Sequence, residues 1–345
     1  MKLASLKAGG RDGTLIVVSR DLQTAVIAKD IAPTLQAALE NWEHCAPRLN
    51  ALSEALNAGQ CKDAFALDTQ ALAAPLPRAY EFVDGSAYLP HVERVRRARG
   101  ASVPESFYSD PLMYHAVGAG FYGPRDPVRV ADEAYGIDLE AEVVVVTDDV
   151  PMGVSAQDAE AHIQLIGLVN DVSLRNLIPD ELAKGFGFLQ SKPRSALSPV
   201  FVTPDELGDA WTSGLAGLPV QLGANGRRIG LCDGAQDQRW PFGLLLARAA
   251  AWRGLNAGSV VAGGELQCAD GSRGHGSLHQ RRRHEAAEIG APRTPLLRAG
   301  GNVRADVRGR DGTSVFGAID LRLGPPAAEA ADAVASDAPP AEATA

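Results

Sequence analysis

Short bursts of apolar residues, separated by turn formers, open the chain. Gly13-Thr14-Leu15-Ile16-Val17-Val18 and Thr24-Ala25-Val26-Ile27-Ala28 read as two strands joined by a turn around Arg20-Asp21. From Thr34 to Leu56 the apolar positions Leu35, Leu39, Trp42, Leu49 and Leu52 take helical spacing, and Pro47 is expected to break that helix in two. Ala74-Pro75-Leu76-Pro77-Arg78 reads as a linker between a small N-terminal domain, residues 1–73, and a main domain, residues 74–324. Further on, Gly136-Ile137-Asp138-Leu139-Glu140-Ala141-Glu142 alternates acid with apolar residues and then runs into Val143 to Val146, the period of a strand. Ser155-Ala156-Gln157-Asp158 reads as a helix start for Ala159 onward, followed by the apolar run Ala161–Val169 and then Asn170-Asp171.

The second half continues in the same language. Pro199–Pro204 is a strand, Leu218–Leu231 a hairpin around Asn225-Gly226, Phe242–Trp252 an amphipathic helix, and Gly258–Ala262 a strand. Residues 263–276, rich in glycine, read as a loop. Val303–Arg308 and Val315–Leu321 form a terminal hairpin turned at Asp311-Gly312. Residues 325–345 are dominated by Ala, Pro, Glu and Asp without periodicity and are expected to be disordered.

Composition narrows the class. At 345 residues a sizeable core is affordable, and 33 basic against 42 acidic residues give a net charge of -9, which speaks against a nucleic-acid or membrane-surface partner. The basic runs Arg94–Arg99 and Arg281–Arg283 are short enough to be solvated helix faces. The four cysteines, Cys45, Cys61, Cys232 and Cys268, show no close pairing and no zinc spacing, so a reducing cytoplasm is the expected compartment. No apolar run approaches the roughly 18 residues of a membrane span.

The acidic strand is the first candidate for chemistry. Residues two apart on a strand share a face, so Asp138, Glu140 and Glu142 point one way and Leu139 and Ala141 the other. Carboxylates so aligned repel one another; either the face is a solvated edge or a hard cation offsets the charge, and Mg²⁺, Mn²⁺ or Ca²⁺ prefers such oxygens. Asp84 and His91 stand seven apart around a Gly-Ser bend, where the acid suits a turn cap as well as a metal, and the histidine a helix surface as well as a base. Asp171, directly after an apolar run, suits a local turn contact with Arg175 as partner, or a metal. Lys192 lies on a loop before Pro193.

In order and spacing, these pieces resemble the fumarylacetoacetate hydrolase family over most of residues 75–323. The resemblance is carried by Asp84 with His91, Pro111-Leu112-Met113-Tyr114-His115, Asp138-Leu139-Glu140-Ala141-Glu142, Asn170-Asp171-Val172-Ser173-Leu174-Arg175, Lys192 within Gln190-Ser191-Lys192-Pro193, and Phe316-Gly317-Ala318-Ile319-Asp320. It implies a β-rich α+β fold: a mixed β-roll catalytic domain with a small N-terminal α/β domain of the kind found in a bacterial branch, usually dimeric. It also implies that Asp84, Glu140, Glu142 and Asp171 bind Mg²⁺ (or Mn²⁺ or Ca²⁺), that His91 is the base for the attacking water, that Lys192 holds the developing oxyanion, and that Arg175 and Tyr114 contact the substrate. The activity implied is hydrolysis of a carbon–carbon bond in a β-diketo acid, fumarylacetoacetate-like or acylpyruvate-like, in aromatic catabolism.

Two departures accompany the likeness. Where the family carries a substrate-contacting threonine, this chain reads Gly263-Gly264-Glu265-Leu266-Gln267, and Glu265 is expected to repel an anion. Where the family places a glutamate shortly after a Gly-Ser pair to orient the histidine, Gly276-Ser277 is followed by Leu278-His279-Gln280-Arg281. Both keep open a decarboxylase, hydratase or isomerase of a 2-oxo acid on the same scaffold, and a weakly active metal-binding homologue.

Overall fold

The computed structural model describes residues 1–88, 102, 105–267, 271–309 and 311–325. His91, the expected basic helix face at 94–99 and the tail from 326 onward lie outside the described residues.

Four strands begin the chain, β1 (Lys2–Leu6), β2 (Thr14–Val18), β3 (Thr24–Ile27) and β4 (Phe65–Ala66), with helices Leu35–Leu39 and Trp42–Asn57 between the last two. The helical stretch is divided, but at Glu40-Asn41 rather than at Pro47, which is carried inside the second helix. Burial of Cys45, Leu49, Ser53 and Leu56 along one face of that helix offsets the backbone hydrogen bond that proline removes. Next come β5 (Phe82–Gly85), β6 (Met113–Ala116), β7 (Ile137–Thr147), β8 (Ile163–Leu174), β9 (Ala196–Leu197) and β10 (Phe201–Val202). A small pair, β11 (Trp211–Thr212) and β12 (Leu215–Ala216), precedes the expected hairpin of β13 (Pro219–Ala224) and β14 (Arg227–Asp233), whose turn residues Asn225 and Gly226 both take positive φ. The chain closes with β15 (Val260–Ala262), β16 (Asn302–Val307) and β17 (Ile319–Arg322).

The fold is α+β and β-rich. Its main sheet runs β4-β3-β2-β1-β10-β8-β7-β15-β5-β6 with β9 added to β8, and a second sheet runs β14-β13-β16-β17. β15 and β5 run parallel while β7 is antiparallel to both of its neighbours, so the sheet is mixed. The first strands have no separate sheet of their own among the described residues: β1 pairs with β10 and so joins the N-terminal segment to the centre.

The helix expected from Ala159 onward stops after one turn, at Ala156–Glu160, and the apolar run that follows is strand β8. Its whole length pairs with β7, from Ile137 opposite Leu174 to Val146 opposite Leu165, and that ladder overrides any helical tendency of the run. The four valines of β7 alternate between two cores. Val143 and Val145 join one together with Leu168 and Val172; Val144 and Val146 join the other, with Leu165, Val169 and the N-terminal Leu3, Leu15, Leu35 and Leu49. Asp138, Glu140 and Glu142 share parity with Val144 and Val146, so the acidic face begins where the second core stops. The solvated-edge reading of β7 is thereby excluded: β7 lies between β8 and β15, and all three of its acids are buried.

Cys45 and Cys61 are free, whereas Cys232 is disulfide-bonded. Sequence spacing gives no sign of that bond, because it depends on Cβ atoms meeting in space. Among the described residues no helix is long and apolar enough to cross a membrane.

Candidate active site

Register builds the site. Directly opposed residues of antiparallel strands share a face, so pairing of Glu140 with Asp171 brings the acid of β8 beside those of β7. β15 then links β7 to β5 and sets Ala262 beside Asp84, and β6 places Tyr114 opposite Asp84. Asp84 is therefore a strand residue and no turn cap. Asp84, Glu142 and Asp171 offer carboxylate oxygens that lie within 4.8 Å of one another, and the three side chains are buried.

Buried carboxylates persist only with partners or a proton. The Tyr114 hydroxyl donates to Asp84 Oδ2 at 2.6 Å and reaches Asp171 Oδ2 at 3.3 Å. Lys192 Nζ donates to Glu140 Oε2 at 2.6 Å and also to Asp171, whose other oxygen accepts from the Ser195 hydroxyl. Arg175 does not pair with Asp171. It grips Asp138 through Nε at 3.0 Å and Nη2 at 2.8 Å, and its Nη2 lies 2.7 Å from Glu140 Oε1. The expected fourth ligand, Glu140, thus stands outside the carboxylate trio, held between two cations.

The remaining oxygens lack partners. Asp84 Oδ1 and both oxygens of Glu142 are buried without any hydrogen bond among the described residues. Burial and the Asp171 charge push the Asp84 carboxyl up to about 7. Burial, helped by the Asp84 and Asp171 charges, pushes Glu142 well above the usual carboxylate range. Burial likewise raises Asp171, against the Lys192 ammonium. A divalent ion bound by hard oxygens fits these orphaned atoms, since it would replace the protons that burial otherwise imposes. Asp84, Glu142 and Asp171 are the residues that would hold it.

A cavity of about 610 Å³ opens over the cluster. Asp84, Tyr114, Glu140, Glu142, Arg175 and Lys192 supply its polar floor. Leu112, Ile178, Leu182 and Phe188 form an apolar wall, with the Phe188 ring edge-on to Tyr114 at 4.7 Å between centroids. The Lys192 loop is fixed by Glu181, whose carboxylate accepts from the backbone N–H groups of Leu189, Gln190 and Ser191. Although burial opposes it, those bonds and one from the Ser191 hydroxyl hold the Glu181 carboxyl down at about 2.

Several participants escape sequence reasoning. Residues 278–289, of which only the basic run Arg281–Arg283 stands out in the sequence, form a helix capped by Ser277, whose hydroxyl accepts from Gln280 N. The Ser-x-x-Gln spacing of a capping box was the available signal. Gln280 is committed to this cap, with Oε1 accepting from Gly276 N at 3.2 Å and Nε2 donating to Leu266 O at 3.0 Å. Asp138 also receives the N–H groups of Leu278 and His279, so one buried acid ties Arg175 to a helix N-terminus. Ser195, Glu181, Gln267 and His279 carry no local motif; only folding brings them to the site.

Comparison with known proteins agrees with this architecture. Residues 1–78 match the family described as Fumarylacetoacetase N-terminal domain 2, and residues 81–321 match Fumarylacetoacetate (FAA) hydrolase C-terminal. A mitochondrial oxaloacetate tautomerase of Xenopus laevis is 27% identical over 110 residues, 31% of this chain and 34% of that protein. A 2,4-didehydro-3-deoxy-L-rhamnonate hydrolase of Sphingomonas sp. (strain SKA58) is 30% identical over 124 residues, 35% of this chain and 41% of that one. The chain thus spans well under half the length of these curated relatives. Among solved structures, maleylpyruvate hydrolase from Sphingobium sp. SYK-6, in complex with manganese(II) and pyruvate, superposes with a TM-score of 0.62 at 16% identity, covering 94% of this chain and 100% of that one. At that identity the likeness speaks for the fold.

Proposed function

The chain belongs to the fumarylacetoacetate hydrolase family, and on that premise we propose that it is a divalent-metal-dependent hydrolase of a β-diketo acid, fumarylacetoacetate-like or acylpyruvate-like, acting in aromatic catabolism. The observation that carries this reading is Glu142, a buried carboxylate with no partner for either oxygen among the described residues, beside Asp84 and Asp171. A divalent ion held there supplies Lewis-acid polarisation of a dicarbonyl. Mn²⁺ or Mg²⁺ suits the donor set, and the manganese-bound structural relative supports the former.

The chain's own groups divide the remaining work. Lys192 uses two of its three N–H donors on Glu140 and Asp171 and keeps the third for the oxygen that gains charge as the carbon–carbon bond breaks. Arg175 uses Nε and Nη2 on Asp138 and Glu140, leaving Nη1 for the substrate carboxylate. Tyr114 orients Asp84 and closes the cavity beside Phe188. The base that takes a proton from water is His91, a role that the family resemblance implies.

The test is an ultraviolet assay of the purified protein with acetylpyruvate, fumarylpyruvate and oxaloacetate, after EDTA and after Mn²⁺ add-back. Hydrolysis of an acylpyruvate to pyruvate, abolished by EDTA and restored by Mn²⁺, is the expected result. Turnover indifferent to chelation would remove the metal from the reading.

One observation favours a second reading. Gln280 is occupied by the helix cap and provides no carboxylate to orient a histidine. Tautomerisation or decarboxylation of a 2-oxo acid needs no activated water, and oxaloacetate turnover without acylpyruvate hydrolysis would select it.

A further inference from the structure

The cavity has a polar wall that the reaction just described does not use. After β15 the chain keeps pairing with β7 but slips by one residue around Gly264: Gly263 N donates to Val143 O at 3.0 Å and Leu266 N to Ala141 O at 3.1 Å. Leu266 is buried in the core, so its neighbours Glu265 and Gln267 turn the other way, onto the side of Glu140 and Glu142, and both line the cavity. Gln267 is only 5% exposed, yet its Oε1 has no hydrogen-bond partner among the described residues. Glu265 Oε1 is likewise buried and lacks a partner among the described residues, while Ser277 hydrogen-bonds the same carboxyl group. The backbone between β15 and this wall is fixed, because Gly264 takes φ +90° with its Cβ position 2.1 Å from the Gly85 carbonyl.

We infer that Glu265 and Gln267 form a recognition site for a hydroxyl group on the acyl arm of the substrate, so that this chain takes hydroxylated dioxo acids in preference to those bearing a second carboxylate. The inference rests on the proposed dioxo-acid chemistry and narrows it.

The charges around the wall argue against an anion there. Glu140 and Asp138 both act on Glu265, and Arg175, which opposes them, is already joined to both acids. A second carboxylate in that place would be a further negative charge in a poorly solvated corner. An alkyl arm would leave two buried polar atoms without partners, which disfavours binding. A hydroxyl group meets both conditions: it is neutral, and it donates and accepts, so it satisfies the Gln267 amide whichever way round that amide is turned.

The test uses acetylpyruvate, hydroxyacetylpyruvate and fumarylpyruvate, with kcat/KM measured in Mn²⁺ and affinity by titration calorimetry both in Mn²⁺ and in EDTA. Wild type is expected to prefer hydroxyacetylpyruvate over acetylpyruvate by roughly tenfold or more, with fumarylpyruvate poorest. Gln267→Leu and Glu265→Thr should each bring the hydroxyl preference down to near unity; the second substitution serves if the first compromises folding, which its melting temperature reports. A binding preference without turnover supports the hydroxyl site and counts against the proposed reaction. Turnover without the preference, turnover with fumarylpyruvate preferred, or a preference that survives both substitutions overturns the hydroxyl site alone. No binding of any of the three acids overturns both.

Discussion

At its Ile137 end the acidic face of β7 meets cations; toward Val146 it does not. Glu140 and Glu142 are the same residue type, two positions apart on one face of one strand, and both are buried. Burial alone would raise both carboxyls. At Glu140 the charges of Arg175 and Lys192 outweigh it and hold the carboxyl well below the ordinary range. At Glu142 burial and the charges of Asp84 and Asp171 act together, outweigh the more weakly felt Lys192, and push the carboxyl well above that range. The paired half of the strand fixes the cations that face the substrate; the unpaired half is left to a cation from outside. Strand geometry makes the two positions equivalent, and the loops that deliver Arg175 and Lys192 make them different.

Exchanging each glutamate for glutamine breaks the comparison most sharply. Glu142→Gln is expected to lower Mn²⁺ affinity and turnover together, by about a thousandfold, while the melting temperature of the metal-free protein stays level or rises. Calorimetric titration with Mn²⁺ and a melting curve check both halves; unchanged Mn²⁺ binding would mean that the trio is not the metal site. Glu140→Gln should act on stability instead. It leaves Arg175 with only Asp138 and Lys192 with only Asp171, and removing one member of a buried ion-pair network costs about 3–5 kcal/mol, read as a lower urea midpoint.

The pH dependence of the metal-free protein sharpens the same contrast. Asp84 has its folded carboxyl raised to about 7 from an ordinary value of 3.8, so between those values the folded chain holds a proton that the unfolded chain has released. That contribution to stability is complete below the ordinary value and is lost as pH rises through about 7. Melting temperature in EDTA should therefore fall across this window while Mn²⁺ affinity climbs, and Asp84→Asn should flatten both trends. The smallest effect belongs to Glu181, which secures the loop that delivers Lys192. With its carboxyl held at about 2, its contribution is present above the ordinary carboxylate range and is lost as pH falls through that value. Glu181→Gln should cost about 1–3 kcal/mol in urea unfolding near neutral pH and less in strong acid.

Much of the acidic face was legible, because alternation along Ile137–Val146 is a local property that survives folding. The boundaries of β2, β3, β13 and β14 were legible for the same reason, and Asn225-Gly226 announced its turn. Which acids face which cations was not. Arg175 stands four residues after Asp171 yet bonds to Asp138, thirty-seven residues upstream, because β7–β8 register decides the neighbour. The run after Ala159 misled for a related reason, since Ile163, Leu165 and Ile166 suit a helix until a long partner strand is available. The helix after Ser277 was legible in its cap and obscured by a basic composition. The order of Asp84, Tyr114, Glu142, Asp171 and Lys192 along the chain carried the site through family resemblance, where no single segment could.

Gly264 limits how this cavity can change over evolutionary time. With a neighbouring carbonyl standing 2.1 Å from where a β-carbon would go, any substitution must displace the main chain there, and with it the link between Asp84 and the rest of the floor. The mounting is therefore rigid while the attached side chains on either side are exchangeable. Adaptation to a new acid is expected to proceed by swapping positions 265 and 267 on an unmoved backbone, which leaves the bond-breaking apparatus intact while its clientele changes.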